Sequence, residues 1–200
     1  MEFGDVVGRR KMVRTFQDAP VVPEVVERIL RAGQRAPSAG YTQGFAFLVF
    51  HGPEETGRFW EVSSAGGEAI WLAGVRPAPV IVVPLTSKRV YLERYAESDK
   101  GWTDLDEARW PAPYWYVDAA FASMLMLLAA VDEGLGALFF GLFPPAIAEF
   151  KAAFGVPQDW EPIGAIAMGH PARVDPAPSS RDTRPRKPLN EIVHRGRWSG

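Results

Sequence analysis

The chain of 200 residues contains no cysteine, which excludes disulfides, thiolate metal ligands and cysteine nucleophiles. Its three histidines, His51, His170 and His194, stand too far apart in sequence to form a local metal-binding motif. A net charge of −2 lacks the basic excess of a general nucleic-acid binder, so we expect no nucleic-acid partner. These shortages leave few side chains for nucleophilic or metal-assisted chemistry, and we expect no metal site.

Signals for export and membrane insertion are also missing. No secretory signal precedes the first charged residues, so we expect a cytoplasmic protein. The longest apolar run, near 119–131, is shorter than a membrane span and begins and ends with acids. The sequence has no phosphate loop of the Gly-x-x-x-x-Gly-Lys-Ser/Thr type, no Gly-x-Gly-x-x-Gly after a strand and no Gly-x-Ser-x-Gly elbow.

What the sequence does have is a cationic stretch near its start. Residues 8–16 hold four cations within six positions and no acid. Arginine binds phosphate through paired hydrogen bonds and lysine adds a point charge, so Arg10, Lys11 and Arg14 could hold one phosphate monoester. Residues 2–10 are predicted to form a short helix, and cations also suit the C-terminus of a helix. A basic helix end is therefore the alternative for this stretch taken alone.

Apolar periodicity predicts alternating helices and strands in one domain. The strand segments 45–50 and 80–85 are apolar on both faces, so both are predicted to be buried. The predicted helices are a segment from Pro23 to before Arg35, Glu54–Val62, Val117–Glu133 and Pro144–Phe154, and the other predicted strands are Ala137–Phe140 and Pro162–Met168.

The strongest helix prediction, 117–133, is apolar around nearly its whole circumference. Such a helix is buried by its own domain or by another chain. The residues predicted to repeat at core spacing are Phe121, Met124, Leu125, Leu128 and Ala129.

Residues 88–115 combine many aromatic side chains with many charges and little clear periodicity. A long aromatic-rich loop in a compact domain is usually a lid or an interface, and an irregular segment packed on the core is the alternative. Its aromatic residues include Tyr91, Tyr95, Trp102, Trp110, Tyr114 and Trp115.

Two glycine-containing segments could approach a flat ligand. In 36–44 small residues let a ring come close to the backbone, while Ser38 and Gln43 can hydrogen-bond to its polar edge. In 134–141 backbone N–H groups could face a ring nitrogen, with flat aromatics on a ring face. An ordinary connection between a helix and a strand is the alternative for each. A second basic patch, 181–188, would by itself be a solvated tail.

Taken in this order, the stretches resemble the FMN-dependent nitroreductase family. Arg10–Phe16 follows the opening Arg-Arg-Ser-x-Arg-x-Phe of that family with two departures, and Ala36–Gln43 follows its Ala-Pro-Ser-x-x-x-x-Gln segment. Gly134–Gly136 matches a Gly-Leu-Gly segment after a long buried helix. Ala165–Pro171 matches the late strand with its Gly-x-Pro ending, and Arg184–Leu189 matches the basic ending.

The resemblance implies an α+β fold, with a central mixed β-sheet flanked by helices and a long helix buried at a dimer interface. Residues 1–171 would form the FMN-binding domain, with 88–115 as a lid or insertion. Residues 172–200 would form an arm that completes the phosphate site and wraps the partner subunit. FMN sites would be shared across a homodimer.

The resemblance also assigns roles in FMN binding, and assigns the chemistry to FMN rather than to a catalytic side chain. Met12 replaces the serine of the family, so a hydroxyl contact is lost and a thioether could pack against the cofactor instead. The implied cofactor contacts are Arg10, Lys11 and Arg14 at the phosphate and ribityl chain; Arg184 and Arg186 as a second phosphate clamp; Pro37, Ser38, Ala39, Gly40 and Gln43 from the other subunit; and Phe139, Phe140, Gly141 and Leu142 along the isoalloxazine. Tyr91, Tyr114 and Trp115 are predicted to touch substrate.

The implied activity is ping-pong transfer of electrons from NAD(P)H through FMN to a small electron-poor aromatic, such as a nitroarene or a quinone. Alternatives within the fold are a deazaflavin-linked relative, a flavin-fragmenting relative and a flavin-sequestering protein without turnover. An unrelated binder of a phosphate ligand or an anionic peptide is the alternative outside it.

Overall fold

A computed structural model describes residues 1–64, 72–173 and 183–198. The helices in these ranges are α1 (Phe3–Arg9), α2 (Pro23–Gln34), α3 (Pro53–Ser63), α4 (Lys88–Ala96), α5 (Tyr114–Asp132), α6 (Ile147–Ala153) and α7 (Leu189–Ile192). The strands are β1 (Phe45–His51), β2 (Val80–Thr86), β3 (Gly136–Phe140), β4 (Glu161–Pro162) and β5 (Ala165–Gly169). The predicted helices and strands are therefore present, with the last predicted strand divided in two.

The five described strands form one sheet in the order β1-β2-β5-β3, with β4 beside β2. Every pairing between these strands is antiparallel, so the prediction of a mixed sheet is wrong for the described strands. The parallel element is an isolated bridge between Met12 and Ala137, made by a segment too short to count as a strand. The α+β class is confirmed.

The central strand β2 is buried along its whole length, as predicted, whereas β1 is mostly half-buried. The difference arises because β2 has neighbours on both sides, while β1 lies at the edge of the sheet. The prediction that 45–50 is fully buried is therefore wrong for most of its residues.

Successive side chains of β2 point to opposite faces of the sheet, and each face has its own hydrophobic cluster. Ile81 and Val83 join the cluster that contains Phe59 of α3 and Phe150 of α6. Val80 and Val82 join the cluster formed with α2 and α5, whose members include Ile29, Met126 and Leu127. Helices thus cover both faces.

Helix α5 presents a different face to the core than its sequence predicts. Ala119, Ala122 and Met126 are fully buried, whereas Phe121 is 47% exposed and Met124 45% exposed. The small alanines let α5 pack closely on α2 and the sheet, so the bulky stripe turns outward. By length and composition α5 could span a bilayer, but the core helix of a soluble protein meets the same criteria.

The segment 88–115 is more regular than predicted. Its first nine residues form α4, a 3₁₀ turn covers Glu107–Arg109, and α5 already begins at Tyr114. The sequence of α4 shows little apolar periodicity, because several of its residues are charged and Tyr91 is its buried residue. The remaining loop is held by ion pairs, Arg94–Asp99 and Arg109–Asp104 among them.

Candidate functional site

The basic stretch divides into a helix end and an extended segment. Helix α1 ends at Arg9 and Arg10 is its C-cap, so the helix-end interpretation holds for these two residues. Beyond them the chain runs beside the sheet edge, where the N–H of Val13 donates to the carbonyl of Ala137 across 3.0 Å. Further on, the N–H of Phe16 donates to the carbonyl of Gly74, also across 3.0 Å.

Apolar side chains fix this segment while cationic ones remain accessible. Val13 and Phe16 are buried, and Met12 packs against both hydrophobic clusters. Lys11 is exposed, and half-buried Arg14 donates to the carbonyl of Met12 across 3.4 Å. Met12, the departure from the family pattern, therefore contributes to the anchoring of the segment.

The segment lies against the glycines that follow α5. Lys11 and Arg9 line a cavity of about 200 Å³ together with Gly134 and Gly136. A Cβ at Gly136 would lie 2.8 Å from Cγ2 of Val13, so the close approach of the two segments requires glycine. Two stretches far apart in sequence, the first basic stretch and the Gly-Leu-Gly segment, thus form one surface.

The end of β3 offers backbone rather than aromatic faces. Phe140 stacks on Trp60 with ring centroids 5.7 Å apart, and the core buries its side chain. The ring of Phe140 is therefore covered by the core, and the prediction that this residue lies along the isoalloxazine would depend on its backbone. Half-buried Phe139 packs in the other cluster, Leu142 packs against the first, and Gly141 is exposed.

The segment after α2 forms a tight loop, defined here as Ser38–Gly44 and called the 38–44 loop. Gly40, Tyr41 and Gln43 have φ values of 61°, 54° and 52°, in the left-handed region. The hydroxyl of Ser38 accepts the N–H of Gln43 across 2.9 Å. The residues of this loop that are predicted to contact FMN, Ser38, Ala39, Gly40 and Gln43, therefore belong to one turn that is held by its own hydrogen bond. Pro37, the predicted contact just before the loop, is exposed.

This loop packs on the aromatic residues of 88–115, which contact one another. Tyr95 lies 4.4 Å from Trp110 by ring centroids, and Trp110 lies 6.1 Å from Trp115. Tyr91 is fully buried and Trp115 is 7% exposed, so these two are not open to a substrate in this structure. Burial, and then its hydrogen bond to Asp118, raise the pKa of Tyr91. Tyr114, at 36% exposed, is the accessible member of the predicted substrate residues.

Asp118 is the site residue that sequence reasoning missed. It is a buried acid near the start of α5, and its Oδ2 accepts the N–H of Ala39 and the hydroxyl of Tyr91, each across 2.8 Å. A charged residue within an otherwise apolar helix was the available signal.

The second basic patch lies on an exposed arm. Arg184 and Arg186 are both exposed and precede α7, whose Leu189 and Ile192 are exposed as well. The first two residues of the patch, Arg181 and Asp182, lie outside the described residues, as does much of the predicted arm.

The predicted cofactor contacts fall into groups at opposite ends of α5. The 38–44 loop bonds to Asp118 near its start, whereas Lys11 lies beside Gly134 just after its end. Gly134 follows Asp118 by 16 positions, and at 1.5 Å per residue this separation corresponds to about 24 Å. One chain therefore does not bring all the predicted contacts together around a single small ligand.

The fold is a sheet covered by helices on both faces. Residues 10–16, called the basic segment, are fixed beside the edge strand β3, which begins at Gly136. A family model described as Nitroreductase family matches residues 7–170. The chain belongs to this family, and the resemblance seen in the sequence is confirmed.

Relatives match most of the chain at low identity. A protein of Methanothermobacter thermautotrophicus with the provisional name NADH dehydrogenase/NAD(P)H nitroreductase is 28% identical over 184 residues, which cover 91% of this chain and 82% of the relative. The FMN reductase (NADPH) of Bacillus subtilis is 21% identical over 195 residues, or 98% of this chain and 74% of the relative.

Solved structures agree on the fold. A protein of Desulfovibrio desulfuricans, solved in complex with FMN, matches with a TM-score of 0.71 and 26% identity, over 100% of this chain and 99% of that one. A nitroreductase family protein of Clostridium difficile matches with a TM-score of 0.73 and 23% identity, over 99% and 100%. The second likeness shows the fold alone.

Proposed function

We propose that this protein is an FMN-dependent oxidoreductase of nitroreductase type that acts as a homodimer. It takes reducing equivalents from NADH or NADPH and passes them in a ping-pong sequence to an electron-poor aromatic, such as a nitroarene or a quinone. The family match over residues 7–170 supports the class. The FMN complex of the D. desulfuricans protein and the name of the B. subtilis relative support the cofactor.

The residues present fit FMN chemically. Its phosphate needs cationic donors, and Arg10, Lys11 and Arg14 leave α1 on a segment that is fixed at the sheet edge. The flavin ring needs backbone donors without side-chain obstruction, and Gly141 is exposed with open space where a Cβ would stand. Arg184 and Arg186 lie on an arm free to supply further charge.

The observation that supports a dimer is the distance between two groups of predicted FMN contacts along α5. The basic segment and the 38–44 loop lie about 24 Å apart along this helix. A second copy that packs with α5 reversed brings the loop of one subunit to the basic segment of the other. The outward stripe that includes Phe121 and Met124 offers the apolar surface for that contact.

In the proposed mechanism the side chains bind, orient and shield. When bound, FMN supplies the redox chemistry, since it accepts a hydride from a nicotinamide and reduces an acceptor. Arg10, Lys11 and Arg14 would neutralise the phosphate, while the 38–44 loop of the partner would hold the polar edge of the ring. Tyr114, the accessible member of the predicted substrate residues, would contact the nicotinamide or the acceptor. This mechanism needs no dedicated acid or base from the side chains.

The test begins with the purified protein and its colour. We expect yellow protein, or protein that binds added FMN, whose flavin absorbance is bleached by NADH or NADPH without oxygen and restored by a nitroarene or a quinone. Protein that neither carries nor binds FMN would refute the proposal. Bound flavin that resists both nicotinamides would refute the NAD(P)H-dependent activity and favour a sequestering protein or another donor.

A further inference from the structure

The hydrogen bonds of Asp118 join three separate elements. The carboxyl group is 2% exposed and lies on α5, while its two donors come from the 38–44 loop and from α4. Burying such a group is costly unless it is hydrogen-bonded, and here one oxygen accepts from both donors. The arrangement therefore ties the loop and the aromatic segment to one point.

The 38–44 loop needs such an attachment because its backbone is strained. Three of the four residues 40–43 have left-handed φ values, namely Gly40, Tyr41 and Gln43. Two of the three are not glycine. Such residues keep an unfavourable conformation only where the surrounding structure holds it. The hydrogen bond that the N–H of Gln43 donates to the Ser38 hydroxyl holds the loop internally, and Asp118 holds it to the rest of the molecule.

The aromatic rings of α4 press on the same loop. A Cβ at Gly40 would lie 2.6 Å from Cε2 of Tyr95, and a Cβ at Gly44 would lie 2.4 Å from Cε2 of Tyr91. Tyr91 keeps its proton well above neutral pH because burial and its acidic partner raise its pKa, so it is a constant donor. Loop, α4 and α5 thus form one unit.

We propose that Asp118 is a positioning residue that, together with Tyr91, presets the 38–44 loop for the flavin. The inference rests on the proposed function, since the ligand of the loop is FMN. Asp118 is buried behind the loop and acts through it, so it does not touch the reacting atoms. Loss of the acceptor oxygen removes the hydrogen-bond partner of Ala39 and Tyr91 together and leaves the buried hydroxyl of Tyr91 unpaired.

The test compares FMN dissociation constants, from flavin fluorescence quenching, with melting temperatures of the FMN-free protein. Asp118→Leu removes the acceptor at similar volume, and we expect roughly 10–150-fold weaker binding, the range for a hydrogen bond to a charged group. Tyr91→Phe retains the ring packing and removes one of the two donors while Ala39 keeps its bond, so we expect weaker binding, but a smaller loss than in Asp118→Leu. Asp118→Asn retains an acceptor oxygen and should restore most of the affinity lost in Asp118→Leu.

The matched control is Tyr116→Phe, which removes another hydroxyl–carboxylate hydrogen bond, between Tyr116 and Glu161, near the same end of α5 but not with a residue of the loop. Its FMN affinity should equal that of the unmodified protein. Weaker binding with an altered visible circular dichroism of the bound flavin, in Asp118→Leu and Tyr91→Phe but not in this control, supports the inference.

If Asp118→Leu does not fold, Tyr91→Phe carries the test, because it keeps the packing volume and loses one hydrogen bond to Asp118. Unchanged affinity and an unchanged flavin spectrum in Tyr91→Phe would overturn the positioning role while leaving the proposed function standing. Failure of the unmodified protein to bind FMN would overturn both, so the two failures are distinguishable.

Discussion

The N–H of Val13 lies 3.0 Å from the carbonyl oxygen of Ala137 and donates to it. This bond fixes the segment that follows the cationic helix end against the edge strand β3. Gly136 makes the approach possible, since a side chain there would enter the space of Val13 and Pro171. The position of the cations therefore depends on a glycine that carries no charge.

Gly136→Ala tests this dependence. Its Cβ would stand 2.8 Å from Val13 and 2.9 Å from Pro171, so the basic segment must shift. We expect a loss of about 1–3 kcal/mol in the free energy of unfolding, as for other overpacked sites, and weaker FMN binding. Denaturant titration and flavin quenching measure the two effects.

The control is Gly8→Ala in α1, where the added methyl group meets nothing within 4 Å. Removing a helical glycine should stabilise the protein slightly or leave it unchanged. Equal effects of the two substitutions would show that the contact with Val13 does not matter.

Arg14→Ala and Arg186→Ala test the proposed phosphate contacts. Each should weaken FMN binding by about 1.5–3 kcal/mol, the range for hydrogen bonds to charged groups. Arg58→Ala is the control, because Arg58 is exposed on α3 and its guanidinium lies over the ring of Phe154 rather than beside a proposed FMN contact. Isothermal titration with FMN gives the affinities. Unchanged values for both site variants would refute the proposal that Arg14 and Arg186 bind the phosphate.

Much of the fold could be predicted because local patterns and the final packing agree. Pro23 begins α2, the glycines after 133 end α5, and the apolar run 80–85 becomes the central strand. The sequence could not reveal which face of α5 is buried, since Phe121 and Ala122 both suit a core. That choice depends on the space that α2 leaves.

The sequence motifs of the candidate site could be predicted, but the tertiary contacts that hold those motifs in place could not. Cations and small residues at fixed positions make Lys11 and Gly40 candidates for the site, because phosphate and flat rings need those residue types. The link from Ala39 to Asp118 spans 79 positions and the burial of Phe140 depends on Trp60. Neither relationship leaves a local pattern.

Tyr116 gives a prediction for alkaline pH. Its hydrogen bond to Glu161, together with partial burial, raises its pKa from an ordinary 10.0 to about 12. The neutral phenol is favoured in the folded state, so this stabilisation is fully present below the unfolded pKa and is lost as pH rises through the folded value. The free energy of unfolding should therefore fall between about pH 10 and 12.

Tyr116→Phe should make that fall less steep, because the variant has no phenol to titrate at this position. Urea titrations at several pH values measure the slope, with Tyr41→Phe as a control at a side chain 77% exposed. A slope that Tyr116→Phe leaves unchanged would contradict the proposed cause.

The exposed stripe of α5 gives the prediction for assembly. We expect light scattering and sedimentation at micromolar concentration to report a dimer. Met124→Glu places a charge where two such stripes would meet, and burying an unpaired charge costs several kcal/mol. Because Met124 is 45% exposed in the single chain, the fold should survive the substitution.

Ala152→Glu on α6 is the matched control, since Ala152 is exposed on a helix packed on the other face of the sheet. It should remain dimeric and bind FMN normally. Met124→Glu should be monomeric and should lose FMN as well, because a monomer keeps the basic segment and the 38–44 loop at opposite ends of α5. A monomer that binds FMN with full affinity would show that one chain completes the site, and the separation along α5 would then need another explanation.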